Sequence, residues 1–428
     1  MYIAIDDTDF PGGMCTTYLM TEVIHRLDLD LIGFPGLVRL NPNIPYKTRG
    51  NAALTARLGT GRGEAIDVGR YGSRKVLSWN DCGETGDPEE VAGLVLEIVK
   101  EKYGKHPNTN PGIVVSSTRF PSWFYREALR REIMLEEAME LLEKEGASYR
   151  YLGNGRGLIG ATAAISWEQE RTTYELLGYD HAGPRPDNGR MIGLAREIDS
   201  IPGTFASMDE ENQRATIFPS PRTPVYLGIR GHDHVVLRSL METLQQHEET
   251  RCGRYMLFVT NQGTDDNVVE EPEQLTDLLT CSITGTVASL PVGSDGGHWF
   301  CDVNWRGMLV RTAAYEESGS LASAFRMLRP GDMVQITGSY NSGNLNLEKL
   351  NVITQAEEYR RAPSICSCGS FYRNVGKSGL KCPSCGDARG YHSYTLRSRA
   401  RITGIHLPPV SSRRHLSAYP GSRDGGNR

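Results

Sequence analysis

Three carboxylates crowd into four positions near the start of this 428-residue chain, in the string Ile-Asp-Asp-Thr-Asp that ends at Asp9. Asp6, Asp7 and Asp9 follow an apolar run at residues 2–5 and precede Gly12 and Gly13. The apolar run reads as a short buried strand. From Thr16 onward Tyr18, Leu19, Val23, Ile24 and Leu27 recur three and four apart, which predicts a helix buried on one face. The acids therefore stand where a strand ends, and the glycines lead into a helix N-terminus. Adjacent anions repel, so such a cluster needs a cation or a tight turn. Glycines that bare backbone N–H groups, a partly positive helix end and carboxylates able to hold magnesium suit a phosphate. A ligand-free polar turn with Asx-type hydrogen bonds is the competing reading.

The length allows two to four domains, each with its own core. No N-terminal apolar stretch has basic flanks, and no run approaches the roughly 20 apolar residues of a membrane helix. A cytoplasmic protein without a membrane segment is expected. Cys15, Cys82, Cys252, Cys281 and Cys301 are scattered and read as reduced thiols. The net charge of −5 hides an asymmetry. From Arg361 onward there are twelve Lys and Arg against two Asp, which leaves the rest of the chain near −15. A basic end on an acidic body suits a polyanionic partner, with a solubilising tail as the plainer alternative.

The predicted organisation is multidomain, mixing α/β and α+β. Residues 1–165 read as an α/β domain, with strands at 36–40, 52–58 and 113–116 and helices at 88–103 and 125–145. Residues 166–278 carry strands at 174–179, 225–229 and 255–260 about a helix at 235–246, an order that fits a ferredoxin-like domain. Residues 279–358 give three alternating segments, a short helix at 321–328 and two further strands. That is the order of an OB-fold, a small barrel often used for single-stranded nucleic acid. Trp299, Phe300, Trp305 and Tyr315 are its candidate base-stacking aromatics, and alternation sets Trp299 and Phe300 on opposite faces.

Residues 359–395 hold Cys366, Cys368, Cys382 and Cys385, two pairs each followed by glycine, which reads as a zinc ribbon. Its first knuckle is Cys-x-Cys rather than the usual Cys-x-x-Cys, a shortening expected to strain the loop. Residues 396–428 read as a basic flexible tail.

Three further motifs are decoys or open. Gly155 to Gly160 matches a dinucleotide fingerprint, but residues 161–167 read as a strand and no acid follows at the required distance. The turn at 153–157 fits a phosphate neighbour and a plain hairpin equally. His232 and His234 read as solvated rather than metal-binding, and residues 187–190 as a turn.

The opening acids with Gly-Met-Cys-Thr-Thr-Tyr after them, the stretch Asn-Pro-Asn-Ile-Pro-Tyr-Lys-Thr-Arg-Gly-Asn at 41–51, and Thr-Asn-Gln-Gly-Thr-Asp at 260–265 resemble one family. It is the archaeal tRNA 2-agmatinylcytidine synthetases, and the resemblance covers most of the chain. It implies a kinase-like catalytic domain and an ATP-dependent ligase acting on an isoleucine tRNA with a CAU anticodon. Agmatine would be the co-substrate, and no obligate protein partner is evident. Within the resemblance Asp6, Asp7 and Asp9 are the magnesium and catalytic carboxylates, and Thr16, with Thr17 adjacent, is the self-phosphorylated threonine. Gly12, Gly13, Lys47, Arg49, Gly50 and Asn51 become the ATP contacts. Glu175 or Asp265 could meet the cationic agmatine. The barrel and ribbon would grip the tRNA, with zinc in the ribbon. Two other classes stay open: a non-catalytic single-strand nucleic-acid binder, which would ignore ATP, and a magnesium-dependent phosphoesterase, which would need no amine.

Overall fold

The computed structural model describes residues 1–419, apart from 11, 48–49, 220–221, 377–378 and 391. One eleven-stranded sheet runs through the first 260 residues. The first strand, Tyr2–Asp6, lies inside it, antiparallel to both Ala52–Gly59 and Gly112–Ser116. Its alternation decides what each face holds. Ile3 and Ile5 join one core with Leu19 and Val23 of the first helix, Thr16–Arg26, and Val95 of the helix Pro88–Lys102. Ala4 joins the opposite core with Phe124, Leu141 and Leu158.

Strands Thr173–Tyr179, Val225–Gly231 and Arg254–Thr260 extend the same sheet. The junction is the strand Arg254–Thr260, which pairs antiparallel with Gly61–Tyr71 and parallel with the end of Asp30–Arg39. The first two sequence segments thus share one sheet while keeping separate helical layers.

Two expected elements differ. The helix expected at 125–145 is broken into Ser122–Ala128 and Leu135–Lys144. No Gly or Pro marks the break. Arg131 folds back onto Glu127 and, through both terminal nitrogens, onto Glu137, while the Glu137 side chain accepts from the Met134 N–H. Ion pairs and a capping contact stand where the helix would have continued. The strand expected at 161–167 is instead covered by the helix Gly157–Ile165, almost wholly buried. A helix buried all round has no polar stripe, so its sequence resembles a buried strand.

After residue 278 five strands close into a small barrel. Thr280–Val287 pairs with Met333–Asn341, which hairpins to Asn344–Thr354. That strand runs parallel to Met308–Ala314, which pairs with Trp299–Trp305, and Trp299–Trp305 returns to the first. Trp305, expected among the stacking aromatics, is 1% exposed and sits in the barrel core. Trp299 packs against that core, whereas Phe300 carries Arg311 on its ring. His232 packs against Phe205, His234 packs against Phe34 and Tyr174, and Asp187 caps the helix Asn188–Asp199.

The chain beyond 396 is placed rather than loose as far as Tyr419. Tyr394–Arg397 pairs with Glu358–Arg361, and Arg399 forms a two-pronged ion pair with the buried Asp332. Gly404–His406 adds to the barrel strand Asn344–Thr354. Residues 413–419 then return to the large sheet as a strap. Basic content alone suggested a flexible tail; buried Leu416 and Ala418 anchor it instead. No helix among the described residues is long and apolar enough to cross a membrane.

Candidate active site

Asp6 closes the first strand opposite Gly112. The leading turn of the helix Gly157–Ile165 comes down on these strand ends at backbone contact. A Cβ on Gly112 would fall 2.1 Å from the Leu158 nitrogen, and one on Gly160 would fall 1.8 Å from Asp6 Oδ2. Any side chain at either position would push the helix off the carboxylate. Asp7, at φ +53°, turns the chain, and its Oδ2 meets Arg156 Nη2 at 3.1 Å. Arg156 also lies 5.0 Å over the Tyr46 ring. The Asp9 carbonyl accepts from Thr109 Oγ1 at 2.9 Å.

Burial pushes the Asp6 carboxyl well above its usual range, and the Asp7 charge adds to the rise. Burial raises Asp7 too, partly offset by Arg156. Asp6 is therefore poorly compensated as an anion and Asp7 only partly compensated, by Arg156 and Asn110, a condition that a bound cation would relieve. Cys15 stands at the N-cap of the first helix with no side-chain bond to the helix N–H groups, and no acid occupies the first turn. The positive end of that helix is left for an anion. Thr16 is buried in that turn, and its Oγ1 accepts from Thr8 Oγ1 at 3.1 Å. Thr17 Oγ1 lies 3.0 Å from Cys15 Sγ.

These groups line a cavity of about 360 Å³. Of the residues singled out from sequence, it gathers Asp6, Asp7, Asp9, Thr16, Thr17, Lys47, Gly50, Asn51 and Glu175. Gly12 and Gly13 are not in its lining. They bracket the Phe10 ring, which a Cβ on either would approach to 3.1 or 2.9 Å. Arg49 lies outside the described residues. Lys47 Nζ donates to the Ile44 carbonyl, and burial lowers its pKa. Asn51 Nδ2 donates to the Asn41 carbonyl. The asparagines of the 41–51 motif also dock the barrel: Asn41 and Asn43 both donate to the Leu278 carbonyl.

Glu175 and Asp265 are both engaged by cations of this chain. Glu175 lies between Arg39 at 3.5 Å and Arg230 at 3.4 Å. Asp265 is outside the cavity lining and joins Lys349 of the barrel, at 2.6 Å, to the Ala418 N–H of the strap. Sequence reasoning missed Arg39, Arg156, Arg230 and His415, all of which line the cavity. Only Arg156, inside the 153–157 turn, had a local signal. His415 is brought in by the returning strap, and the neighbouring Arg39, burial and Arg230 drive its pKa well below the usual value.

Among the described residues only Cys366, Cys368, Cys382 and Cys385 form a group of three or more ligands able to surround one ion, with all four sulfurs within 4.8 Å of one another. Sγ pairs at 3.4 and 3.5 Å suit tetrahedral thiolate coordination, so the shortened knuckle does not keep its sulfurs apart. The backbone N–H of Cys368 lowers the Cys366 pKa, favouring the thiolate. The three aspartates do not converge as such a group. Magnesium asks less of the protein, since one or two carboxylates beside substrate phosphates suffice.

Family descriptions match two consecutive parts of the chain: the TiaS TCKD domain over residues 2–154 and the TiaS FLD domain over residues 155–267. The isoleucine-tRNA 2-agmatinylcytidine synthetase TiaS of Thermoplasma volcanium is 39% identical over 421 residues, covering 97% of this chain and 96% of its own. That of Archaeoglobus fulgidus is 31% identical over 431 residues, with coverages of 97% and 96%. A crystal structure of TiaS in complex with its isoleucine tRNA and ATP matches with a TM-score of 0.81 at 30% identity, covering 97% of this chain and 95% of that one. A complex of TiaS with the same tRNA, AMPCPP and agmatine matches at 0.79 and 28% identity, with coverages of 97% and 96%.

Proposed function

This chain belongs to the family of isoleucine-tRNA 2-agmatinylcytidine synthetases, and from that premise we propose how its cavity performs the reaction. The protein is an ATP-dependent ligase that joins agmatine to C2 of the wobble cytidine of an isoleucine tRNA, so that the CAU anticodon decodes AUA. The observation that carries this reading is the cavity where two buried aspartates meet an uncapped helix N-terminus, in a chain related to these enzymes over nearly its full length.

The 2-oxygen of cytosine is a poor leaving group for an amine. Transfer of a phosphoryl group from ATP to that oxygen makes it a good one. The primary amine of agmatine then forms the new C–N bond at C2, the oxygen departs with the phosphate, and the amine loses its proton. In our reading Asp6 and Asp7, with Asp9 beside them, would hold magnesium, which would supply positive charge against that of the triphosphate. The N-terminal turn of the first helix offers its N–H groups to a phosphate. Thr16, whose hydroxyl accepts from Thr8, is read as the residue that a separate ATP phosphorylates in self-modification, outside the transfer to the base. Lys47, Gly50 and Asn51 form the lip on which ATP rests, and the cavity takes up the extruded base.

The barrel is read as the OB-fold, the three-stranded cysteine module as a zinc ribbon, and the segment after residue 165 as the ferredoxin-like part. Zinc on the four cysteines would fix the ribbon that grips the tRNA. The protein works in the cytoplasm. The deciding experiment combines protein, ATP, agmatine and an unmodified CAU-anticodon transcript and reads nucleoside mass. Cytidine should gain agmatine only with all components present. An unchanged cytidine with folded, zinc-loaded protein would reject the reading.

A further inference from the structure

Arg39, Lys47, Gly50, Asn51 and His415 line both the active-site cavity and a second cavity of about 530 Å³. The far walls of the second come from barrel residues such as Tyr315 and Asn346, and from Arg413 and Arg414 of the strap. None of the three opening aspartates reaches it. Among the residues common to both cavities Arg39 and Lys47 are cations and none is a carboxylate, while Glu317 and Glu348 line the second cavity and Arg230 the first. Arg39 and Arg230 share the single carboxylate of Glu175. The Nε of Arg39 is buried with no hydrogen-bond partner, while the buried Arg230 guanidinium meets Glu175 at 3.4 Å and the Tyr419 hydroxyl. A buried donor left unsatisfied is costly, and a guanidinium that has lost its water is best matched by a planar or tetrahedral oxyanion. Arg39 is also held in place. Arg39 Nη2 donates to Gln262 at 3.1 Å, and the backbone N–H of Arg39 donates to Asn261 at 2.7 Å. The ring of His415 fills the space that a Cβ on Gly50 would need, at 2.8 Å, so the strap closes the junction from above.

We propose that Arg39 and Arg230, backed by Glu175 and His415, seat a phosphate group at this junction, and that the phosphate is an internucleotide one beside the target cytidine. The proposal rests on the tRNA-modifying reading above. A polynucleotide is favoured over ATP because the junction continues into a second cavity walled by the barrel and strap, where a strand running on from the target base would lie. The seat would then hold the backbone while the base enters the aspartate cavity.

The test measures KM for the CAU-anticodon transcript and the RNA-free Kd for ATP, in the unaltered protein and in Arg230→Gln and Arg230→Lys. The same transcript is also built with a neutral methylphosphonate linkage on either side of the wobble cytidine. Arg230→Gln should raise the transcript KM by about tenfold or more while leaving the ATP Kd unchanged, and Arg230→Lys should recover part of the loss. One of the two neutral linkages should cost the unaltered enzyme a similar factor and cost Arg230→Gln nothing further. That second arm does not depend on any variant folding. A rise in ATP Kd alone would give the seat to a nucleotide phosphate and overturn the polynucleotide assignment. No effect on either constant, with no sensitivity to either linkage, would overturn the seat altogether. Failure of the unaltered enzyme to convert the unmodified transcript would instead reject the parent reading.

Discussion

The aspartate corner and the carboxy-terminal strap border the same cavity and reach it by opposite routes. The corner's carboxylates and helix end come from one strand, one turn and one helix within the first 26 residues, with Arg156 and the helix Gly157–Ile165 packed over them. The strap arrives after the chain has built the barrel and the cysteine module. It is received by the 260–265 loop: Gly263 N–H donates to the His415 carbonyl at 2.8 Å, Asp265 N–H donates to the Leu416 carbonyl at 2.8 Å, and Asp265 Oδ1 accepts from Ala418 N–H at 2.7 Å. A polar motif that looks like a ligand site from sequence is in large part a receptacle for the end of the chain. The corner has chemistry of its own; the strap gives the cavity a wall.

The largest effect should come from the corner. Asp7→Asn removes one of the two carboxylates assigned to magnesium and breaks the Arg156 ion pair, and agmatine incorporation should fall by on the order of 10²–10³. Transcript affinity should stay within a factor of about two, since the barrel and ribbon are untouched. Activity that survives this substitution would move the metal and phosphate chemistry elsewhere.

Truncation after Ser412 tests the other side of the comparison. It removes His415 from the junction and takes buried Leu416 out of the core that holds Phe124 and Leu158. Loss of that one side chain alone is worth about 1.5–3 kcal/mol of apolar burial. Catalytic efficiency should drop by roughly ten- to a hundredfold, as expected when positioning groups are lost and the chemical groups stay. The midpoint of thermal unfolding should fall with it. If both hold steady, the strap is a passive cover and the contrast with the corner disappears. Cys382→Ser should act more narrowly. It breaks the sulfur quartet, releases the zinc expected there, and weakens transcript binding by about tenfold. Normal affinity in that variant would count against a tRNA-gripping ribbon.

The contrast also explains what could be read from the sequence. Local signals survived: the strand that ends at Asp6, the helix from Thr16, the alternating barrel strands and the paired cysteines all lie within short stretches of chain. Two kinds of feature did not. The helix Gly157–Ile165 is buried on every side, so no amphipathic stripe distinguished it from a strand, and its glycines have a purpose only against Gly112 and Asp6. Arg39, Arg230 and His415 meet from positions far apart in the chain, and no spacing rule links them. The basic composition of the last segment was real, yet it concealed Leu416 and Ala418, the two apolar residues that decide where the segment goes.

The smallest expected effect is the most pointed, because it sets stability against function inside the corner. Burial and the neighbouring Asp7 raise the Asp6 pKa in the folded protein. A raised folded pKa means the native state binds more protons than the unfolded chain, so this group's contribution to stability is intact below the unfolded carboxyl pKa and is lost as pH rises through the folded one. At neutral pH, without magnesium, Asp6 is a net liability to the fold. Asp6→Asn should therefore raise the thermal midpoint at neutral pH even as it abolishes conversion, and the gap from the parent protein should close as pH falls toward the acid range. Magnesium with ATP should shrink the same gap from the other side by stabilising only the parent. Calorimetry across that pH range, with and without nucleotide and metal, reads both trends. A variant less stable than the parent at neutral pH would show that the contact of Asp6 with the helix at Gly160 outweighs its desolvation, and that the corner holds its anion without a cation.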